Sequence, residues 1–211
     1  MNAELVSGHI EYAAGNIEVA RDLFGRSAEG FRALGIPWGV GNSLSAMAGV
    51  ALATGDTAQA ERLLDDVTVV IKQAGPWFRS MALYMRAVLA LRRASPDEAI
   101  AFVREGLSYI RELQDKFAFV NTLVPLAAAA SLRGDDTWAA RILAMRDAVT
   151  ERTGAAVVDK AAQDLRDEAE RGVRARLGRE RWDRAYADGR GTSIDALMTH
   201  IDRILADAKD R

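Results

Sequence analysis

Reactive side chains are scarce in this sequence, and their spacing argues against a catalytic centre. His9 and His200 are the only two histidines and lie far apart. A metal site needs ligands clustered at helical or loop spacing, so a packed or surface imidazole accounts for each. There are no cysteines, which excludes thiolate zinc sites, cysteine nucleophiles and disulfides. Adjacent carboxylates occur at Asp65-Asp66 and Asp135-Asp136, where solvated faces and helix caps explain them better than acid–base work. With no histidine base beside a serine, nucleophilic catalysis has little to start from. Gly189-Arg190-Gly191-Thr192-Ser193 has the look of a phosphate-binding turn. It lacks the lysine and the preceding strand, so a turn with an N-cap at Thr192 or Ser193 reads better. Residues 166–184 hold seven arginines interleaved with Asp167, Glu168, Glu170, Glu180 and Asp183. Mixed signs at helical spacing predict a salt-bridged, solvated helix rather than a nucleic-acid patch. The expectation is a protein that is not an enzyme, with no cofactor and no metal.

The chain as a whole agrees. Its 211 residues are 49% apolar and 27% charged, with a net charge of −2. That fits neither a basic nucleic-acid footprint nor an acidic disordered chain. The start, MNAELVSGHIEYAAGN, lacks a basic segment followed by an apolar run, as a signal peptide would have. No stretch approaches 18 uninterrupted apolar residues. A cytoplasmic location is expected.

The elements that must position any site come from an internal repeat. Ala20, Ala60, Ala99 and Ala139 share a period of 39 to 40 residues. Gly8, Ala48, Ala87 and Ala127 keep the same step, as do Gly35, Gly75, Gln114 and Gly154, and the aromatic openers Trp38, Trp77 and Phe117. Each unit reads as two antiparallel helices. In the second, Pro37 suits a helix start. Thr54-Gly55 ends the first helix, and Asp56 caps the next. Ala60, Leu63, Leu64, Val67 and Ile71 form an apolar stripe. The small residues pair 12 apart, one on each helix, where the two must approach closely. Pro125 falls inside the seventh helix and should bend it. The units are about 1–35, 36–75, 76–114 and 115–154, followed by C-terminal capping helices over 155–211.

The small pairs, the Gly-Asp turn and the aromatic opener together resemble the tetratricopeptide repeat, in a variety longer than the usual 34 residues. The long variety looks like the repeats of large bacterial ATP-dependent regulators of the LuxR/MalT type. The tail LGRERWDRAYADGRGTSIDAL is similar to the ending of many such regulators, through Leu177, Gly178, Trp182, Tyr186, Asp188, Gly189, Arg190 and Ser193. The resemblance implies an all-α, right-handed α-solenoid of four helical hairpins plus a helical tail. It also implies a module that receives an inducer, a partner protein or other domains of its own regulator. There is no phosphate-loop motif and no DNA-reading helix-turn-helix. The chain is therefore expected to be the C-terminal portion of a regulator or a stand-alone relative.

In tetratricopeptide domains the first helix of each hairpin lines a concave groove. Counting by the repeat places Asn2, His9 and Tyr12 there from the first unit, and Asn42 and Ser45 from the second. Met81, Tyr84 and Val88 follow from the third, and Asn121 and Val124 from the fourth. Asn2, Asn42 and Asn121 share one repeat position, where an amide can both donate to and accept from a peptide backbone. The face is otherwise apolar, which suits a hydrophobic peptide, an amphipathic helix or a small apolar ligand. The rival expectation is an assembly scaffold that dimerises or holds a partner without sensing a ligand. Nucleic acid and membrane are not expected partners.

Overall fold

A computed structural model of the protein describes residues 1–71, 75–155 and 160–209. The link between the second and third repeats at 72–74 and the first residues of the tail at 156–159 lie outside them. The described residues are all-helical, with no strand. Eight helices carry the repeat: α1 (Asn2–Ala13), α2 (Ile17–Ala33), α3 (Pro37–Ala53), α4 (Thr57–Val70), α5 (Pro76–Arg92), α6 (Pro96–Leu113), α7 (Lys116–Leu132) and α8 (Asp136–Thr153). Three form the tail: α9 (Lys160–Leu177), α10 (Arg179–Gly189) and α11 (Ile194–Lys209).

Each repeat marker has a physical reason. Gly15, Gly55, Ala94 and Gly134, in the turn between paired helices, have φ of 84°, 82°, 53° and 81°. Gly35, Gly75, Gln114 and Gly154, which close the units, have φ of 65°, 91°, 53° and 69°. Both turn positions demand a left-handed residue in every unit, and glycine meets that demand without a Cβ penalty. Ala94 and Gln114 are the two exceptions, and a non-glycine residue in that region costs roughly 1–2 kcal/mol. Ala94→Gly and Gln114→Gly are each expected to stabilise the protein by about 1 kcal/mol. A denaturant midpoint raised at constant slope would register this, and an unchanged or lowered midpoint would contradict it.

The small residues at the second marker pair are buried throughout. Ala20, Ala48, Ala60, Ala87, Ala99, Ala127 and Ala139 have no exposed surface. Gly8 takes the same place in α1, where a Cβ would stand 2.5 Å from Phe24 Cε1. The caps hold as well. Asp56, Asp115 and Asp135 accept from the backbone N–H groups of Gln59, Ala118 and Trp138 at 2.9, 3.0 and 3.2 Å. The helix α7 continues through Pro125 rather than breaking there.

Packing divides the chain into two compact units, Met1–Leu89 and Ala90–Arg211, with the boundary inside α5. In the first, Phe24, Phe31, Val40, Leu44, Val50 and Val67 form a core shared by α2, α3 and α4. A smaller cluster joins Ala48, Ala51 and Leu52 of α3 to Leu64 of α4 and Leu89 of α5. In the second, the tail folds onto the repeat helices: α9 packs on α7 and α8, α10 on α8, and α11 on α6. That is why the units do not separate repeats from tail. Arg104 and Arg111 of α6 meet Asp202 and Asp195 of α11 at 2.6 and 3.2 Å. Seven residues forward on one helix match seven back on the other, so α11 runs antiparallel along α6.

Candidate binding surface and the tail clamp

The expected groove residues fall differently in the two units. In the first, Met85 and Val88 of α5 lie against the cluster that holds Ala48, Ala51 and Leu52 of α3. Asn42, Ser45 and Gly49 of α3 recur at three and four residues, as do Met81, Tyr84 and Val88 of α5. Each set therefore shares a helix face. All six are half-buried. Gly49 leaves room between them: a Cβ there would meet only Met85 Cε, at 3.6 Å. On α1, Asn2 and His9 are exposed, while Tyr12 packs partly into the first core. The His9 ring sits edge-on to Phe24 at 5.0 Å.

In the second unit the expectation needs correction. Val124 is fully buried and packs with Val120 and Ala162. The tail helix α9 covers it, so this position is core and not a lining surface. The half-buried Asn121 turns its side-chain amide back to the Phe117 carbonyl of its own helix, at 3.0 Å.

A denser polar cluster, which counting by repeats did not find, lies where α8, α9 and α10 meet. Asp147 accepts from Arg146 Nη1 at 2.6 Å, and from Arg166 Nη2 and the Tyr186 hydroxyl at 2.8 Å each. Arg166 also pairs with Glu170 at 2.8 Å. Burial pushes the Asp147 carboxyl up, but the hydrogen bonds from Tyr186 and Arg166 and the arginine charge outweigh it and hold the group below its ordinary value. Burial, together with the bond to Asp147, pushes the Tyr186 phenol up to about 12. Shifts of this kind also mark catalytic sites. Here every partner belongs to a helix–helix joint, so the cluster acts as a clamp.

The rest of the tail motif serves the same joint. Arg174 lies over the Trp182 ring, 4.4 Å from its centroid. Asp188 accepts from Arg141 at 2.9 Å, and Arg190 Nη1 donates to Glu151 at 3.1 Å. Gly189 between them is buried against the backbone of α8, and a Cβ would stand 2.5 Å from Arg141 Cα. Ser193 caps α11 by accepting from Ala196 N–H at 3.2 Å. The Gly-Arg-Gly-Thr-Ser segment is thus the turn and cap that its composition suggested. The arginine-rich stretch, expected to be one solvated helix, is two. Gly178, at φ 71°, breaks it; its arginines are exposed except for the half-buried Arg166, and Arg176 pairs with Asp136 at 2.7 Å while staying exposed.

His200 lies on the Trp138 ring, centroids 3.9 Å apart, with Asp135 3.5 Å away. Burial lowers the pKa of its imidazole, against the pull of Asp135. Among the described residues no group of three or more histidine, aspartate or glutamate side chains could hold a metal ion. No described helix is long and apolar enough to cross a membrane. No protein-family model, curated protein or solved structure matches the chain.

Proposed function

We propose that the chain is a non-catalytic binding module of a bacterial transcriptional or signalling regulator, working in the cytoplasm. Its first-helix surface on α3 and α5 would take an apolar segment of a partner protein or peptide. The observation that carries this reading is the half-buried set Asn42, Ser45, Met81, Tyr84 and Val88 on two adjoining helices, open around Gly49. Apolar side chains there supply burial. The Asn42 amide and the Ser45 hydroxyl supply orientation. The resemblance of the repeat and tail to regulator sequences supports the wider role, in which an occupant biases one arrangement of the helices over another. The alternative, an assembly scaffold that senses nothing, draws on apolar side chains left bare on α1.

A displayed library of amphipathic helical and extended peptides, selected on the full chain, tests the surface. Selected peptides are expected to weaken at least tenfold on Tyr84→Ala, and to shift the amide resonances of Asn42, Ser45 and Val88. The loss of one well-packed aromatic contact is commonly worth more than about 1 kcal/mol at an interface. Peptides that bind equally to Tyr84→Ala and Asn42→Ala would sink the reading.

A further inference from the structure

The last helix, α11, is held to the second unit by little. It packs chiefly on α6, whereas α9 packs on α7 and α8, and α10 on α8 and α9. Its buried stripe is short, Leu197, Met198, Ile201 and Ile204. Its two ion pairs with α6 join exposed or half-exposed side chains, and such pairs contribute little. The turn that leads into it contains Gly191, which is exposed and has open space around it. Beyond α6, the helix meets the fourth hairpin through His200, whose ring lies 3.9 Å from that of Trp138. This joint suits a neutral imidazole. His200 Nε2 and Trp138 Nε1 are both buried with no hydrogen-bond partner among the described residues. Trp138 stands in the first turn of α8, just after the cap Asp135. There the helix dipole presents its positive end, which disfavours a cation. Asp135 gives one oxygen to the Trp138 N–H at 3.2 Å. Its other oxygen is 3.5 Å from Nε2, too long for a strong hydrogen bond. The neighbouring acids are engaged elsewhere, Asp136 by Arg176 and Asp97 by Arg133. Arg141 of α8 and Arg203 of α11 add positive charge. The charges with which α6 meets α11, Arg104 and Arg111, are balanced by Asp202 and Asp195.

We propose that α11 is a latch on the fourth hairpin, which holds while His200 is neutral and opens when its ring is protonated. Opening bares Leu197 and Ile201, now fully buried, together with the face of α6 beneath them. Asp135 and the face of the indole attract an imidazolium. Burial is the larger effect, and with Arg203 and Arg141 it outweighs them and holds the pKa of His200 below its ordinary value. Docking is therefore at full strength above about pH 6.5, the value of an unperturbed imidazole. It weakens as pH falls from there to the docked value, below which it levels off. The latch does not involve α3 or α5, so it and the binding surface there stand or fall separately.

A nuclear magnetic resonance titration of the full chain reads the imidazole, and His9→Gln assigns the signals, since the chain has only two histidines. His200 is expected to titrate below the same residue in a free peptide spanning α11. Hydrogen exchange, corrected for the intrinsic effect of pH, reads the latch. From about pH 7.5 down to about pH 5, either side of the ordinary imidazole value, the opening constant of the amides from Leu197 to Ile204 should rise. The rise should approach tenfold for each unit by which the two titrations differ. The amides of Leu123 in α7 and Leu143 in α8 should keep theirs. His200→Gln, which cannot titrate, should abolish the rise, and unchanged exchange in α7 and α8 would show that this variant is folded. An imidazole that titrates at or above the peptide value, α11 protection that ignores pH in the wild type, or a rise that survives in His200→Gln would each overturn the proposal.

Discussion

Replacing Gly189 with alanine is expected to destabilise the second unit by about 3 kcal/mol, the upper end of what overpacking usually costs. The new methyl would meet the backbone of Arg141, not the tip of a flexible side chain. Nothing local can rotate away, so α10 itself must lift from α8. Lifting it separates Asp188 from Arg141 and Arg190 from Glu151, the pairs on either side. Gly191, two residues on, is exposed, and a Cβ there would meet no atom within 4 Å. Gly191→Ala should therefore stay within about 0.5 kcal/mol of wild type. Denaturant unfolding of both variants, followed by tryptophan fluorescence because Trp138 and Trp182 are buried in this unit, separates the effects. Equal midpoints would show that the close approach of α10 to α8 is not what the glycine serves.

The repeat was legible because its signals are local. A left-handed turn asks for glycine at Gly15, Gly55 and Gly134, and a close helix approach asks for a small residue at Ala48 or Ala127. Each demand is met within one hairpin, so spacing along the chain reports it. The tail clamp was not legible in the same way. Asp188 meets Arg141 across 47 residues, and Tyr186 meets Asp147 across 39. Nothing in periodicity names a partner at that distance. Mixed charge on α9 and α10 has the same pattern whether the arginines face water or a neighbouring helix. That is why the half-buried Arg166 read as solvated. The groove shows the same limit from the other side. Counting by the repeat identifies the face on which a residue lies but not what covers that face. It therefore placed Val124 on the lining face, although α9 packs over it.

Asp147→Ala tests the clamp itself, and a loss of about 3 kcal/mol is expected from removing one partner of a largely buried charge pair. Arg146 and Arg166 would both lose this acceptor, Arg166 keeping Glu170 at 2.8 Å and Asp167 at 3.0 Å. Arg146 is 9% exposed, and the Nε atoms of Arg146 and Arg166 are buried with no acceptor among the described residues, so little solvation replaces the lost carboxylate. Arg166→Ala made in the Asp147→Ala background should cost less than in wild type, because one of its acceptors is already gone. The pH dependence has a definite sign. The Asp147 carboxyl sits below its ordinary value in the folded protein, so its contribution is present at neutral pH. It fades as pH falls below about 4 through the folded value. The gap between wild type and Asp147→Ala should therefore narrow in acid. Tyr186 runs the other way. Its phenol is raised to about 12, so its contribution holds below about pH 10 and is lost as pH climbs toward that raised value. Without the Asp147 anion the phenol should ionise earlier, nearer 10, visible as tyrosinate absorbance that Tyr186→Phe removes. An acid gap that stays constant, together with an unmoved tyrosinate titration, would mean that Asp147 holds neither the arginines nor Tyr186. The three-helix joint would then rest on its apolar contacts and on its other pairs, Arg141–Asp188 and Arg190–Glu151.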